Sequence, residues 1–136
     1  MNIIFICKHN RFRSRVAEGY FKKIKKNKKI KISSAGLIKG IPVSRNLISI
    51  TKKLEFNVKG KTKGLDEKVL TNTDLIIITA NDIPKSIFKR FNKPVIVWKI
   101  KDAEQSDSNA IKKTINKIMN KVDKFNRKLE KGKWKQ

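Results

Sequence analysis

The sequence predicts an α/β fold, a three-layer sandwich with a four-stranded parallel sheet and helices on both faces. Three observations predict it. Four short β-prone runs recur, at Ile3–Ile6, Ile30–Ser34, Leu75–Ile78 and Pro94–Trp98. They alternate with stretches of helical period, the pattern that joins parallel strands through crossover helices. Two of the runs, Ile3–Ile6 and Leu75–Ile78, are apolar at every position, as strands buried on both faces of a parallel sheet must be.

Each element follows in order. After the first strand, Val16, Ala17, Tyr20, Phe21 and Ile24 recur at helical spacing, starting behind Ser14. Ile30, Ile32 and Ser34 form the second strand, which ends at Ala35-Gly36. A loop through Gly40-Ile41-Pro42 leads to Ser44, a helix cap before Leu47, Ile48 and Ile50. The lysine-rich segment Val58–Lys63 reads as loop. Between the third and fourth strands, Ile83–Phe91 reads as a short helix with Pro84 in its first turn. Ile111, Ile115, Ile118, Val122, Phe125 and Leu129 step by 4, 3, 4, 3 and 4 residues. That spacing predicts a long amphipathic helix packed on the sheet. Lys131–Gln136 forms a charged, frayed tail. With no repeat and no linker, residues 1–136 are expected to form one domain.

Composition narrows the class of protein. The chain has 136 residues, one Cys and one His, which excludes a disulfide framework and any multi-cysteine zinc site. No apolar run is long enough to span a bilayer. The first one, Ile3–Cys7, lacks the flanks of a secretory signal, so a soluble cytoplasmic protein is expected. The net charge of +24 suggests nucleic acid at first sight. Yet 29 of the 35 cationic residues are Lys, spread along the chain beside abundant Ile and Asn. All three are encoded by AT-rich codons, so base composition explains most of the charge. Nucleic acid is therefore expected only through non-specific attraction.

In parallel α/β sheets, ligands bind beyond the carboxyl ends of the strands. The junctions after Cys7, Ser34, Thr79 and Trp98 are thus the places to inspect. The only cysteine stands at the first, in Cys7-Lys8-His9-Asn10-Arg11-Phe12-Arg13-Ser14. A turn between a strand and a helix start can curl its backbone N–H groups around one anion, aided by the helix dipole. A cysteine at the start of that ring has its thiolate held by the same donors. Arg13 can present a planar fork to two phosphate oxygens, and Ser14 can donate to the thiolate. Lys8, Arg11 and Arg15 are expected around the loop mouth, raising the local concentration of anions. His9 invites a Cys–His dyad, but within the loop its backbone N–H is the expected contributor.

At these residues the sequence resembles the low-molecular-weight protein tyrosine phosphatase family, whose signature is Cys, five residues, Arg, then Ser or Thr. It stands here as Cys7, Arg13 and Ser14. Asn10 takes the place of the family's loop-shaping asparagine, and Ser34, in Ser33-Ser34-Ala35-Gly36, that of the serine which buttresses it. Val16-Ala17-Glu18 and Asp74-Leu75-Ile76-Ile77 also resemble the family's first helix start and third strand. The resemblance runs from residue 2 to about residue 102, and the terminal helix fits as well. It implies a phosphate-binding loop after strand one, with Lys8, His9, Asn10, Arg11, Phe12 and Ser14 around the phosphate.

The resemblance also implies a general acid after the fourth strand, usually an aspartate followed by proline. Asp102 takes that place, followed by Ala103 and without the downstream tyrosines. Asp107 in Ser106-Asp107-Ser108 is the rival, read more simply as a helix cap, and Asp82 is an outside candidate. The implied activity is hydrolysis of phosphotyrosine-type phosphomonoesters through a cysteinyl phosphate, by a monomer needing no metal and no cofactor. The substrate would be a phosphoprotein or a small phosphomonoester. Ile38 or Ile41 is expected to supply an apolar wall for it.

Two alternatives stand beside that reading. Relatives on the same fold reduce arsenate, some through two further cysteines. This chain has none after Cys7, so a reductase would need an external thiol. A non-catalytic phosphate or nucleic-acid binding module would use the loop without turnover.

Overall fold

The computed structural model describes residues 1–58 and 60–134. Lys59, within the segment read as loop, and residues 135–136 of the charged tail lie outside the described residues. Four parallel strands form one sheet: β1 Asn2–Cys7, β2 Lys31–Gly36, β3 Leu75–Ile78 and β4 Val95–Val97, in the order β2-β1-β3-β4. The chain winds from β1 outward to β2, then crosses back to β3 on the other side of β1. The topological switch point therefore lies between β1 and β3, where a parallel sheet opens a ligand crevice. Cys7 is the last residue of β1.

Both faces of β1 from Ile3 on, and of β3, are buried because every position there carries an apolar side chain or the Cys7 thiol. Ile3, Phe5, Leu75 and Ile77 pack against Val16, Ala17 and Phe21 of α1 (Arg13–Ile24) and the apolar stripe of α4 (Ser108–Glu130). Leu47 and Ile50 of α2 (Arg45–Lys53) extend this cluster. Phe5, Phe21, Trp98 and Phe125 form a ring cluster within it, with centroids 5.7 to 6.2 Å apart. Tilted and edge-on pairs at that spacing add about 0.5–1.5 kcal/mol each beyond burial. On the opposite face, Ile4, Ile6, Ile76 and Ile78 meet Leu70 and Phe88. The sandwich thus has three layers, thick on one side and thin on the other. Tyr20 of α1 donates to Asp123 of α4 at 2.7 Å, and burial with that hydrogen bond pushes its hydroxyl up to about 12.

Several elements differ from the expected outline. A short helix, α3 (Glu67–Thr71), precedes β3. It buries only Leu70, so no periodicity announces it; its mark is Asp66, which accepts from the Lys68 amide at 2.9 Å. Ile83–Phe91 is a 3-10 helix over Lys85–Phe91, and Pro84 is its extended N-cap rather than a first-turn residue. With Phe88 its only buried residue, that segment has no apolar stripe to hold an α-helix. Pro94 stands just outside β4, lacking an N–H for the ladder, while its carbonyl accepts from Ile76 at 3.0 Å. Ser44 caps α2 as its residue type predicts, accepting from the Leu47 amide at 3.1 Å. No helix among the described residues is long and apolar enough to cross a membrane.

Candidate active site

The loop between β1 and α1 is shaped by what holds its outer side. The carbonyls of Cys7, Lys8 and His9 accept hydrogen bonds from Leu37, Ile38 and Gly40, at 3.0, 3.1 and 3.1 Å. With the carbonyls turned outward, the amides of His9, Asn10, Arg11 and Phe12 donate to no acceptor among the described residues. Buried backbone N–H groups are rarely left so, and four of them in one turn form an anion-binding concavity. The close approach requires Gly36: a Cβ there would lie 2.6 Å from the Asn10 nitrogen and the His9 carbonyl carbon.

Asn10 turns the loop with φ of 54°, a left-handed conformation that asparagine tolerates better than most residues. Its side chain is fully buried and braced on every side. Nδ2 donates to Ser14 Oγ at 2.9 Å and to Ser34 Oγ at 2.8 Å, while Oδ1 accepts from the Lys63 amide at 2.9 Å. Ser34 donates onward to Glu18 Oε1 at 2.6 Å, and Lys22 pairs with Glu18 Oε2 at 2.8 Å. Ser14 Oγ accepts from Asn10, so its own hydrogen is free for Cys7 Sγ, 2.9 Å away. Cys7, 2% exposed, therefore has beside its sulfur a hydroxyl that can donate to it as a thiolate.

Arg13 opens α1 rather than preceding it, and is 2% exposed. Its Nη1 donates to the Ile100 carbonyl at 2.8 Å and lies 3.4 Å from Asp82 Oδ1. Its Nε is 4.0 Å from Asp102 Oδ1. Nη1 thus anchors the guanidinium, leaving the Nε–Nη2 edge for a ligand.

A cavity of about 660 Å³ opens on the loop, lined by Cys7, His9, Arg11, Phe12 and Arg13. Asp102 and Asp107 also line it, but in different states. Asp102 is 60% exposed and reaches toward Arg13, whereas Asp107 caps α4, accepting from the Ala110 amide at 3.1 Å. Asp82 pairs with Arg13 and does not line the cavity.

Other expectations need correction. Arg15 is not at the loop mouth: it is 5% exposed and donates to the carbonyls of Lys61 and Val58, at 3.0 and 2.8 Å. Two positions beyond Arg13, it lies about 200° round the helix, on another face of α1. Lys8 is exposed and does not line the cavity; Arg11 does, with its Nε on the Pro42 carbonyl at 3.1 Å. Ile38 and Ile41 are exposed but supply no wall, because the 37–40 segment pairs with the outer side of the loop. The wall comes instead from α4, through Ala110, Lys113, Thr114 and Lys117. Sequence reasoning missed these residues and the part played by Glu18. A carboxylate in the buried stripe of α1 was the available signal for the latter, since such a group needs a partner.

A parallel sheet with a cysteine, an arginine and a ring of free amides at its switch point defines a cysteine-dependent phosphoryl-transfer protein. The chain belongs to the low molecular weight phosphotyrosine protein phosphatase family, whose model matches residues 2–135. It is a cysteine-based phosphatase of this group. No curated protein matches it in sequence. Among solved structures it is similar to the YwlE arginine phosphatase from Geobacillus stearothermophilus, at 15% identity and a TM-score of 0.84, covering 96% of this chain and 94% of that one. It is also similar to the low molecular weight protein tyrosine phosphatase from T. tengcongensis, at 24% identity and a TM-score of 0.81, covering 94% and 99%. The arsenate reductase from Archaeoglobus fulgidus is 26% identical with a TM-score of 0.76, covering 91% and 98%.

Proposed function

We propose that the chain hydrolyses phosphotyrosine-type phosphomonoesters through a cysteinyl phosphate on Cys7. The observation that carries this reading is the ring itself: Cys7 at its start, four undirected amides along it, and the Nε–Nη2 edge of Arg13 at its end. In the first step the Cys7 thiolate forms a bond to phosphorus as the ester P–O bond breaks. Amides of residues 8–14 and Arg13 hold the equatorial oxygens, where charge develops. Asp102, protonated, gives its proton to the departing phenolate. Asp102, now ionised, takes a proton from water, whose oxygen displaces sulfur from phosphorus. Phosphate leaves and the thiolate is restored, with Ser14 donating to it. The side chains of Asn10 and Ser34 hold the loop in its binding shape, while the Asn10 amide faces the phosphate with the other loop amides.

Asp102 is favoured over Asp107 because only Asp102 reaches toward Arg13 with no helix to cap. With phenyl phosphate, a poor leaving group, Asp102→Asn is expected to lower kcat about 10²–10⁴-fold, and with p-nitrophenyl phosphate much less. Asp107→Ala is expected to keep the rate and lose about 1 kcal/mol of stability as a lost cap. The opposite ranking of the two variants would remove the acid role from Asp102. Arsenate supplied with glutathione and glutaredoxin tests the neighbouring chemistry: turnover of arsenate without turnover of aryl phosphate would make the chain a reductase.

A further inference from the structure

A second cavity, of about 740 Å³, is larger than the one over Cys7 and shares no lining residue with it. It lies between α1, α2 and residues 56–58 and 60–63, where Gly19 of α1 lets the Asn57 carbonyl approach. Lys22, Lys23, Lys52, Lys61 and Lys63 converge on it, opposed by the carboxylates of Glu18 and Glu55. Lys22 is engaged with Glu18 and Lys23 with the Leu54 carbonyl. Lys52, Lys61 and Lys63 have no ion pair or side-chain hydrogen bond among the described residues. Lysines line other concavities as well; what sets this one apart is that Glu18 and Lys63 of its lining also brace the phosphate loop. The lysine charges here repel one another and focus a positive field that an anion relieves.

The wall of this cavity is also part of the brace under Cys7. Glu18 faces the cavity and accepts from Ser34 at 2.6 Å, and Ser34 accepts from Asn10 at 2.8 Å. Lys63 also lines the cavity, and its amide donates to Asn10 Oδ1 at 2.9 Å. Both ends of the Asn10 amide are therefore tied to residues that a ligand in the second cavity would touch.

We propose that this cavity is a second anion site, which takes a small oligophosphate and transmits its occupancy to the phosphate loop through Glu18 and Lys63. The floor favours a compact polyanion over a ligand with a ring, because Phe56 and Val58 are already 7% and 2% exposed. An oligophosphate competes with Glu18 for Lys22 and sets a second negative charge beside that carboxylate. Repulsion displaces the carboxylate from Ser34, and the Asn10 brace relaxes.

The test is hydrolysis of p-nitrophenyl phosphate at constant ionic strength with added inorganic tripolyphosphate. An anion bound only over Cys7 raises KM and leaves kcat alone. Binding in the second cavity lowers kcat, by about fivefold or more at the lower end of usual coupling between two sites. Lys52→Gln with Lys61→Gln, both remote from the catalytic loop, is expected to keep the basal kinetics and abolish the fall in kcat. A purely competitive effect in the wild type, or the same fall in the double variant, overturns the proposal. The inference does not stand or fall with the phosphatase reading. Were no ester hydrolysed, tripolyphosphate titrated into the Cys7→Ser protein would still be read from backbone amide shifts. Shifts at Gly19, Gly60 and Lys61 support the site, and shifts confined to residues 8–14 overturn it.

Discussion

Cys7→Ser is expected to lower p-nitrophenyl phosphate hydrolysis by more than about 10³-fold, with the fold and phosphate affinity retained. The size follows from the nucleophile. A serine hydroxyl is not ionised near neutral pH, and the side-chain hydrogen-bond partner of Cys7 among the described residues is Ser14, which is no general base. Retention of the fold follows from the contacts. The side chain is almost fully buried, serine is slightly smaller, and its oxygen can take the same hydrogen bond from Ser14. A variant that kept a tenth of the rate would show that sulfur forms no bond to phosphorus. A variant that lost its thermal transition would not test the point, so the unfolding midpoint and phosphate binding are measured with the rate.

Arg13→Lys is the second large effect, expected at about 10²–10³-fold in kcat, with a smaller rise in KM. Lysine keeps the positive charge beside Asp82, so the buried end of the site stays compensated. It cannot hold the Ile100 carbonyl and also present two parallel donors, because those come from opposite sides of a planar fork. The loss falls on kcat because the fork matches oxygens that carry more charge in the transition state than in the ester. A fall of only a few-fold would mean that the guanidinium does not touch the transferring group and serves the packing of Ile100 and Asp82.

Much of this arrangement is legible in the sequence, and the reasons are physical. β1 and β3 declare themselves because burial on both faces demands apolar residues at every position. α4 does so because one stripe must face the sheet over 23 residues. The loop was readable because a lone cysteine sits where strand meets helix, followed by Arg13 and Ser14 at fixed distance. What stayed hidden depends on contacts distant in sequence or on too few buried groups. α3 and the 3-10 helix each bury a single residue, so neither leaves a period. Arg15 reads as one more loop cation until the carbonyls of Val58 and Lys61 are brought to it from 43 and 46 residues away. Lys113 and Lys117 look like the solvated side of α4 until the helix is laid across the cavity mouth. Asn10 and Ser34 are named by resemblance; Glu18 is hinted at only as a carboxylate on the buried side of α1, and Lys63 is found only in three dimensions.

The central claim is that the phosphoryl group passes through Cys7. The most direct measurement is mass spectrometry of the enzyme quenched within milliseconds of mixing with p-nitrophenyl phosphate. The account predicts one phosphoryl group on the peptide carrying Cys7, present during turnover and gone when substrate is exhausted. Asp102→Asn, deprived of the group that activates water, is expected to hold more of it. Wild-type turnover with no phosphoryl group on Cys7, together with an undiminished rate for Cys7→Ser, would contradict the account.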